Sequence, residues 1–446
     1  MKSENYDIII IGSGIGGLAA GSLLCRKGFK TLIVESRKRI GGRFSTIEYN
    51  GFKLPTGAVL IPEGWVVKLL EEMGINTNLL KPISRVFYRI DGKDYEMPPE
   101  MGVPKALDII DKLDREEAKK SGRPMKPVEL RKIIRGYYKK MRGIKQEEII
   151  TVRDWLLQYT ENEKVHDAFD TLCAGLMMAH SWELPVSKFF LFKEMTKFFI
   201  ATKGNLNIAK QLAKVVEKNG AVWTNCSARK IVINEGKAKG VIVEKAGEQI
   251  EIQCKVVISN IGPKMTVQLA GQENFNDEYL KNMRIKLRPS PCLLVLIASD
   301  KPLCLEGIHD GLQIIMGGRR IKTVIPISNI CPELVPPGQH LLYTSAKHEC
   351  SLHPMDVKYE IQQIKRDIKD FFPDFEKHGR ILKMRACSII NEWPEGRTWL
   401  GYGLPLETPI PNLFNVGDAC VAPGLIGTPG SVESGYRVAD IVETIL

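Results

Sequence analysis

No stretch of this 446-residue chain keeps apolar residues together for the ~18 positions that a bilayer-spanning helix needs, so a transmembrane segment is not expected. The first strand starts at Asp7, which predicts that no signal peptide precedes the fold. The ten cysteines stand singly from Cys25 to Cys420, without a CxxC pair or a metal-like cluster. That spacing argues against a disulfide framework and a zinc site. It fits buried thiols in a reducing compartment, so a cytoplasmic location and no metal are expected. The seven histidines are widely spaced, and no Ser-His-Asp or Cys-His arrangement can be read among them. Internal repeats and low-complexity tracts are missing, and no motif supports nucleic-acid binding.

What is present begins with ordinary globular composition, 44% hydrophobic and 26% charged, over a length that can form more than one core. The net charge of +11 is concentrated: between Glu116 and Lys145 eleven Lys or Arg face three Glu. Within that segment, 128–142 reads as a basic amphipathic helix, with Leu130, Ile133, Ile134, Tyr137, Tyr138 and Met141 on one stripe. Such a helix can lie on anionic lipid as a peripheral membrane contact, or it can pack its stripe inward and show its lysines to water.

The stretch DIIIIGSGIGGLAAGSLLCRKGFKTLIVESRKRIGGR, Asp7 to Arg43, carries the chemistry. Its first residues form a short, wholly apolar strand of the kind buried in a parallel sheet. Gly12, Gly14 and Gly17 then complete G-x-G-x-x-G where strand becomes helix. The glycines allow a tight turn, a close approach of backbone to a pyrophosphate and close helix–strand packing. The helix N-terminus supplies partial positive charge. That helix should run from Leu18 to Lys27 and stop at Gly28, and a second strand, Thr31 to Val34, should end at Glu35. A carboxylate there can accept from a ribose diol and repels a 2′-phosphate, which argues against NADP. A full β-α-β unit with its acid in place predicts dinucleotide binding; NAD and FAD stay open on these residues alone.

The residues after Glu35 spell E-x-R-x-R-x-G-G-R, through Arg37, Arg39, Gly41, Gly42 and Arg43. Here the sequence resembles the GG-doublet flavoproteins, which include phytoene desaturases, carotenoid isomerases, retinol saturases, flavin amine oxidases and protoporphyrinogen oxidase. Two further segments carry the resemblance: KGNLNIA through SNIGP (Lys203 to Pro263), and NLFNVGDACVAPGLIGTPGSVESG near the C-terminus, with Gly417-Asp418 and a helix expected from about Ser431.

The resemblance implies an α/β fold: a Rossmann-type FAD-binding domain built from discontinuous segments (1–85, 202–285 and 385–446) beside an α+β substrate domain (86–201 and 286–384). It implies non-covalent FAD as cofactor, a small and lipophilic substrate, and contacts from Gly12, Gly14, Ile15, Gly16, Gly17, Glu35, Ser36, Arg37, Gly41, Gly42 and Arg43. Gly57, Ala58, Ala228, Asn260, Gly417, Asp418, Gly430, Ser431 and Val432 complete that set. Taken alone, Asp418 could equally be a turn or capping aspartate. One departure is Pro55, which stands where such proteins usually have an Asp two residues before a glycine, here Gly57.

For the substrate region the residues say less. Trp393, Trp399 and Tyr402 can form an aromatic wall of the pocket or fill a core. The phenylalanine-rich run Ser187 to Ala201 reads as a helix, lining an apolar site or packing a core, and SPCLLVLIASD from Ser290 reads as a core strand of a mixed sheet. His180 and Cys420 read as packed rather than reactive. No second G-x-G-x-x-G follows a strand, so a separate NAD(P)H domain is not expected. The favoured activity is desaturase-, saturase- or isomerase-type chemistry on an apolar, unsaturated isoprenoid- or carotenoid-like substrate. The alternatives are a flavin amine oxidase and, in another class, a non-catalytic binding protein like the GDP dissociation inhibitors. No catalytic side chain can be named.

Overall fold

The computed structural model describes residues 5–97, 102–122, 150–177, 179–189, 197–287, 290–303, 311–351, 353–387 and 402–446. The chain divides into two compact units: Met1–Lys81, Phe198–Pro289 and Ile390–Leu446 form one, Pro82–Lys197 and Ser290–Ile389 the other. The segment 128–142, with Trp393 and Trp399, lies outside the described residues.

The first unit is built on five parallel strands in the order Gly220–Trp223, Thr31–Val34, Ile8–Ile11, Val256–Ser259, Leu413–Asn415. The three middle strands are buried along their whole length, as β-branched runs are when both faces of a parallel sheet are covered. The helix Ile15–Arg26 starts three residues earlier than its apolar run suggests, because its first turn is made by the glycines themselves. It stops where Gly28 takes a left-handed conformation (φ +96°) that lets Phe29 N donate to Leu24 O at 3.1 Å. An antiparallel meander, Cys226–Asn234, Lys237–Lys245 and Glu248–Gln253, stands apart from the main sheet. Its first hairpin turns at Glu235-Gly236, both at positive φ, the geometry of a two-residue primed turn.

The edge strand Leu413–Asn415 is too short to hold itself, and side chains anchor it. Thr266 Oγ1 lies 2.6 Å from Asn415 Oδ1 and 2.7 Å from Ser259 Oγ, and Asn415 Nδ2 donates to the Tyr279 hydroxyl at 3.0 Å. This buried network ties the strand to the two helices beside it, Pro263–Ala270 and Asp277–Lys286.

The second unit carries a seven-stranded mixed sheet in the order Gly379–Cys387, Cys292–Ser299, His340–Lys347, Ile321–Pro326, Gly311–Ile315, Arg85–Ile90, Lys93–Met97. Only the Gly311–Ile315 and Arg85–Ile90 pair is parallel. Leu293, Val295 and Ile297 alternate inward and join Ile364 and Ile368 of the helix Val357–Phe371, and Phe372 just after it, in one core. The segment from 86 opens with the hairpin Arg85–Ile90 and Lys93–Met97 before its helices. The phenylalanine-rich stretch is corrected at its end: among its described residues Val186–Phe189 is helical, while Phe198–Ala201 is a strand of the first unit paired with Ile61–Pro62. Aromatic and β-branched side chains in Phe198-Phe199-Ile200 favour the extended form once a partner strand is available. Phe189 lies against Phe169, which meets Trp155, so here the aromatics pack a core.

Beside that core the second unit buries charges. Asp170 holds His180 Nδ1 at 3.0 Å and the Ser181 amide at 2.8 Å, and Lys322 Nζ lies 3.6 Å away. Burial opposes the Asp170 charge, yet His180 and Lys322 hold the carboxyl down at about 2. The second ring nitrogen of His180 meets His348 O at 2.8 Å, so this histidine is a satisfied core residue. Lys347 Nζ donates to Ser351 Oγ at 2.6 Å, Ser290 Oγ at 3.1 Å and Pro291 O at 3.3 Å. All three acceptors are neutral, and desolvation outweighs the opposing charges of Glu183 and Asp170 and pulls the ammonium down to about 8.

The sign of that effect is testable. The unfolded chain binds the Lys347 proton up to about pH 10.4, the native chain only to about 8, so this group's contribution to stability grows through that window and is lost as pH falls through 8. The unfolding free energy of the parent relative to Lys347→Met should rise by on the order of 3 kcal/mol between pH 7.5 and 10.5, read from urea curves. A flat or falling difference would show that the ammonium is not desolvated.

Candidate functional site

In the five-stranded sheet the chain order reverses between Ile8–Ile11 and Val256–Ser259: the second and third strands in the chain add on one side of the first, the fourth and fifth on the other. Crossover loops leave in opposite directions there and open a crevice at the carboxyl ends of the strands, where open α/β sheets take ligands. The three segments singled out in the sequence deliver their turns to this place.

The first turn hangs from its neighbours by backbone bonds. Gly12 N donates to Val34 O at 2.8 Å, and Asn260 N to Ile11 O at 2.8 Å. Gly12 sits at φ +94°, and a Cβ on Gly17 would fall 2.4 Å from Gly12 O, so neither position has room for a side chain. Glu35 fastens the turn from the next strand. Its Oε2 accepts from Ser13 N at 3.0 Å and Ser13 Oγ at 2.6 Å, and its Oε1 from Arg37 N at 2.9 Å. Ser36 Oγ lies 3.4 Å from Oε1. The carboxylate expected to meet a ribose thus also braces the glycine turn. Ser13 is the residue that sequence reasoning missed. Its position between two motif glycines was visible, but that it points at Glu35 was not.

The glycine doublet lies against the same turn. Gly41 N donates to Ser13 O at 3.0 Å, and Gly42 O accepts from Thr56 Oγ1 at 2.9 Å. Arg43 reaches across to the C-terminal segment, its Nη1 3.2 Å from Asp418 Oδ2. The other Asp418 oxygen accepts from Gly427 N at 2.9 Å. That bond starts the last helix at Gly427, four residues before the expected Ser431, because the remote carboxylate satisfies its first amide. Gly417 is held by its amide on Ser434 Oγ at 2.9 Å. Gly430, Ser431 and Val432 are buried in the helix's first turns, with Ser431 Oγ donating to Gly427 O.

Two helices then present their first turns side by side. A Cβ on Gly16 would lie 3.0 Å from Ser431 O, and one on Gly435 2.9 Å from the Ala19 Cβ. The Ile15–Arg26 helix has no side-chain cap, and in the Gly427–Ile445 helix Asp418 takes only the first amide, so the following first-turn amides stay available to an anion. Ile15 is buried at the start of the first. Two adjacent helix starts, glycines without room for a Cβ, a braced acid and an arginine in one crevice fit a dinucleotide with its pyrophosphate. Basic and acidic side chains here are the orienting groups; no general acid or base stands out among them.

The remaining expected residues fall as follows. Ala58 is buried, and its carbonyl accepts from the buried Asn205 Nδ2 at 2.8 Å, a support the sequence did not announce. The tight backbone approach at Gly57 is to Arg43, whose carbonyl would be 2.9 Å from a Cβ there. Ala228 is half-buried two residues after Cys226, whose amide donates to Glu35 O at 2.9 Å. Asn260 places its Nδ2 3.3 Å from Gly12 O. Tyr402 is half-buried in the first unit, and Cys420 is fully buried.

Known proteins resemble this chain in sequence and fold. The family profile described as flavin containing amine oxidoreductase matches residues 15–442. An uncharacterized protein of Methanocaldococcus jannaschii is 26% identical over 98% of this chain and 99% of its own length. A 4,4'-diapophytoene desaturase (4,4'-diapolycopene-forming) of Methylomonas sp. is 28% identical over 54% of this chain and 51% of its own. Among solved structures, an oxidoreductase from Methanosarcina mazei superposes with a TM-score of 0.79 at 25% identity, over 97% of this chain and 99% of that one.

The brace under the turn has a measurable worth. Ser13→Ala removes the 2.6 Å bond and leaves Glu35 Oε2 with one donor fewer, and it should lower the unfolding free energy by about 1–2 kcal/mol in urea titration. An unchanged midpoint would mean that water replaces the hydroxyl at no cost.

Proposed function

The chain belongs to the flavin containing amine oxidoreductase family, and from that premise we propose that it is an oxidoreductase using non-covalently held FAD on an apolar, unsaturated substrate of isoprenoid or carotenoid type. The observation that carries the cofactor is the switch-point crevice, where Glu35, the glycine turn, the Gly41-Gly42-Arg43 corner and Gly417-Asp418 meet. The substrate class is supported by the likeness to the diapophytoene desaturase, which runs over half of both chains, and by the segments KGNLNIA, SNIGP and APGLIGTPGSVESG.

In this reading Glu35 would orient the ribose of the adenosine half, with Ser36, Arg37 and Ala228 beside it. The amides of the Gly12–Gly17 turn and the Arg43 guanidinium would take the pyrophosphate charge. Asp418 would give up part of its pairing with Arg43 to accept from the ribityl chain. The first amides of the Gly427–Ile445 helix would face the pyrimidine edge, where their partial positive charge favours an anionic reduced ring. When bound, the flavin supplies a two-electron acceptor or donor that exchanges a hydride with the substrate at N5. The chain's own task is then to position the substrate, keep water out and stabilise developing charge. The basic segment 128–142 would bring the chain to an anionic membrane surface, where a lipophilic substrate is dissolved.

The amine-oxidase reading rests on the family itself. An anaerobic flavin-reduction screen separates the two. Prenyl lipids and polyenes are expected to bleach the bound flavin, and amines to leave it oxidised. Bleaching by an amine instead would replace the substrate proposal, and a purified protein that takes up no FAD would overturn the cofactor reading.

A further inference from the structure

Gly14, the second glycine of the motif, has an ordinary backbone: φ is −61° and ψ 167°, which any residue can adopt. Its conformation therefore does not demand glycine. What blocks a side chain there is one residue. A Cβ on Gly14 would lie 2.6 Å from Asn260 Nδ2, and the next nearest atoms, at 3.6 and 3.8 Å, belong to the same carboxamide. Asn260 meets the other turns as well. A Cβ on Gly17 would lie 3.1 Å from Nδ2, one on Gly16 3.0 Å from Oδ1, and one on Gly417 2.8 Å from Oδ1. Four missing side chains, three from the N-terminal segment and one from the C-terminal segment, open onto a single carboxamide.

The place of that carboxamide explains the crowding. Asn260 directly follows the Val256–Ser259 strand, and its amide bonds to Ile11 O, at the point where the sheet reverses its order. Its side chain turns back over the crevice floor and donates to Gly12 O at 3.3 Å. Ser259 O takes the amide of Val416, one residue before Gly417. One short segment thus reaches both the turn after the first strand and the turn after the last.

We propose that Asn260 is a positioning residue of the cofactor cradle: its carboxamide keys the Gly12–Gly17 turn to Gly417, and it is the reason the second motif glycine must lack a side chain. This rests on the FAD reading for its consequence, which is that the spacing of the two turns, and with it FAD affinity, depends on Asn260. Overpacked sites shift backbone, and backbone is what would face the phosphates. Gly14 and Asn260 are then one energetic unit, and their substitutions must be strongly non-additive.

The test uses the full chain as Gly14→Ala, Asn260→Ala and the double variant. FAD affinity is read by fluorescence titration, and the unfolding midpoint is read without added FAD. Gly14→Ala is expected to weaken FAD binding about tenfold or more. In the Asn260→Ala background, which removes the blocking group, the same change should cost little further. Equal losses in both backgrounds would overturn the proposal, because Gly14 would then serve only the close approach of the phosphates. If the parent takes up no FAD, the cofactor reading falls, while the coupling read from the four unfolding midpoints still decides the interlock. A second variant guards against poor folding. Asn260→Asp keeps the shape but sets a carboxylate against Gly12 O. Its FAD affinity, relative to the parent, should fall as pH rises from 4 to 7, and a constant ratio would count against the keying bond.

Discussion

The parallel pairing of Ile8–Ile11 with Thr31–Val34 on one side and Val256–Ser259 on the other carries the weight of this structure. The first partner comes from the next twenty residues, and the second arrives after more than two hundred. Register decides everything above it: Ile11 lies opposite both Val34 and Ser259, so Gly12, Glu35 and Asn260 emerge at one level. A slip by one residue would swap every side chain of the strand to the opposite packed face and move all three turns apart. Burial on both faces makes such a slip prohibitive, and the crevice inherits its precision from a hydrophobic constraint.

Polar contacts then refine what the sheet positions. Ser13, Arg37 and Glu35 form a brace within one β-α-β unit, whereas Arg43 and Asp418 join residues far apart in the chain. The edge strand that carries Asp418 depends on the buried Thr266–Asn415–Tyr279 network, since three residues of backbone pairing are a weak hold. In the second unit the same logic appears away from the crevice. Asp170 is compensated by an imidazole and an ammonium, while Lys347 donates only to neutral oxygens and loses affinity for its proton because desolvation outweighs the nearby Glu183 and Asp170 carboxylates.

The β-α-β unit and its glycine turn were legible in the sequence because each rests on local rules: apolar runs, turn glycines and an acid at a strand end; the α/β fold class followed from the family resemblance. The start of the final helix and the 198–201 end of the phenylalanine-rich stretch were misread where a distant group intervened. Asp418 caps Gly427 from nine residues away, and Ile61–Pro62 recruits Phe198–Ala201 as a strand. The Ser13 hydroxyl, Asn205 and Ser434 carried no pattern of their own. Short polar residues become specific only through the partner that the fold brings to them.

By itself, then, the sequence determined the periodicities and the turn chemistry, which depend on neighbours a few residues apart. It also determined that three separated segments bear nucleotide-type motifs. The tertiary structure alone decided that those segments share one crevice, that Glu35 braces the turn it follows and that Asn260 occupies the space four glycines leave. The reason is physical. Backbone conformation is written in short-range sterics, but which side chain fills a given void depends on strands that pair only after hundreds of residues of chain have closed between them.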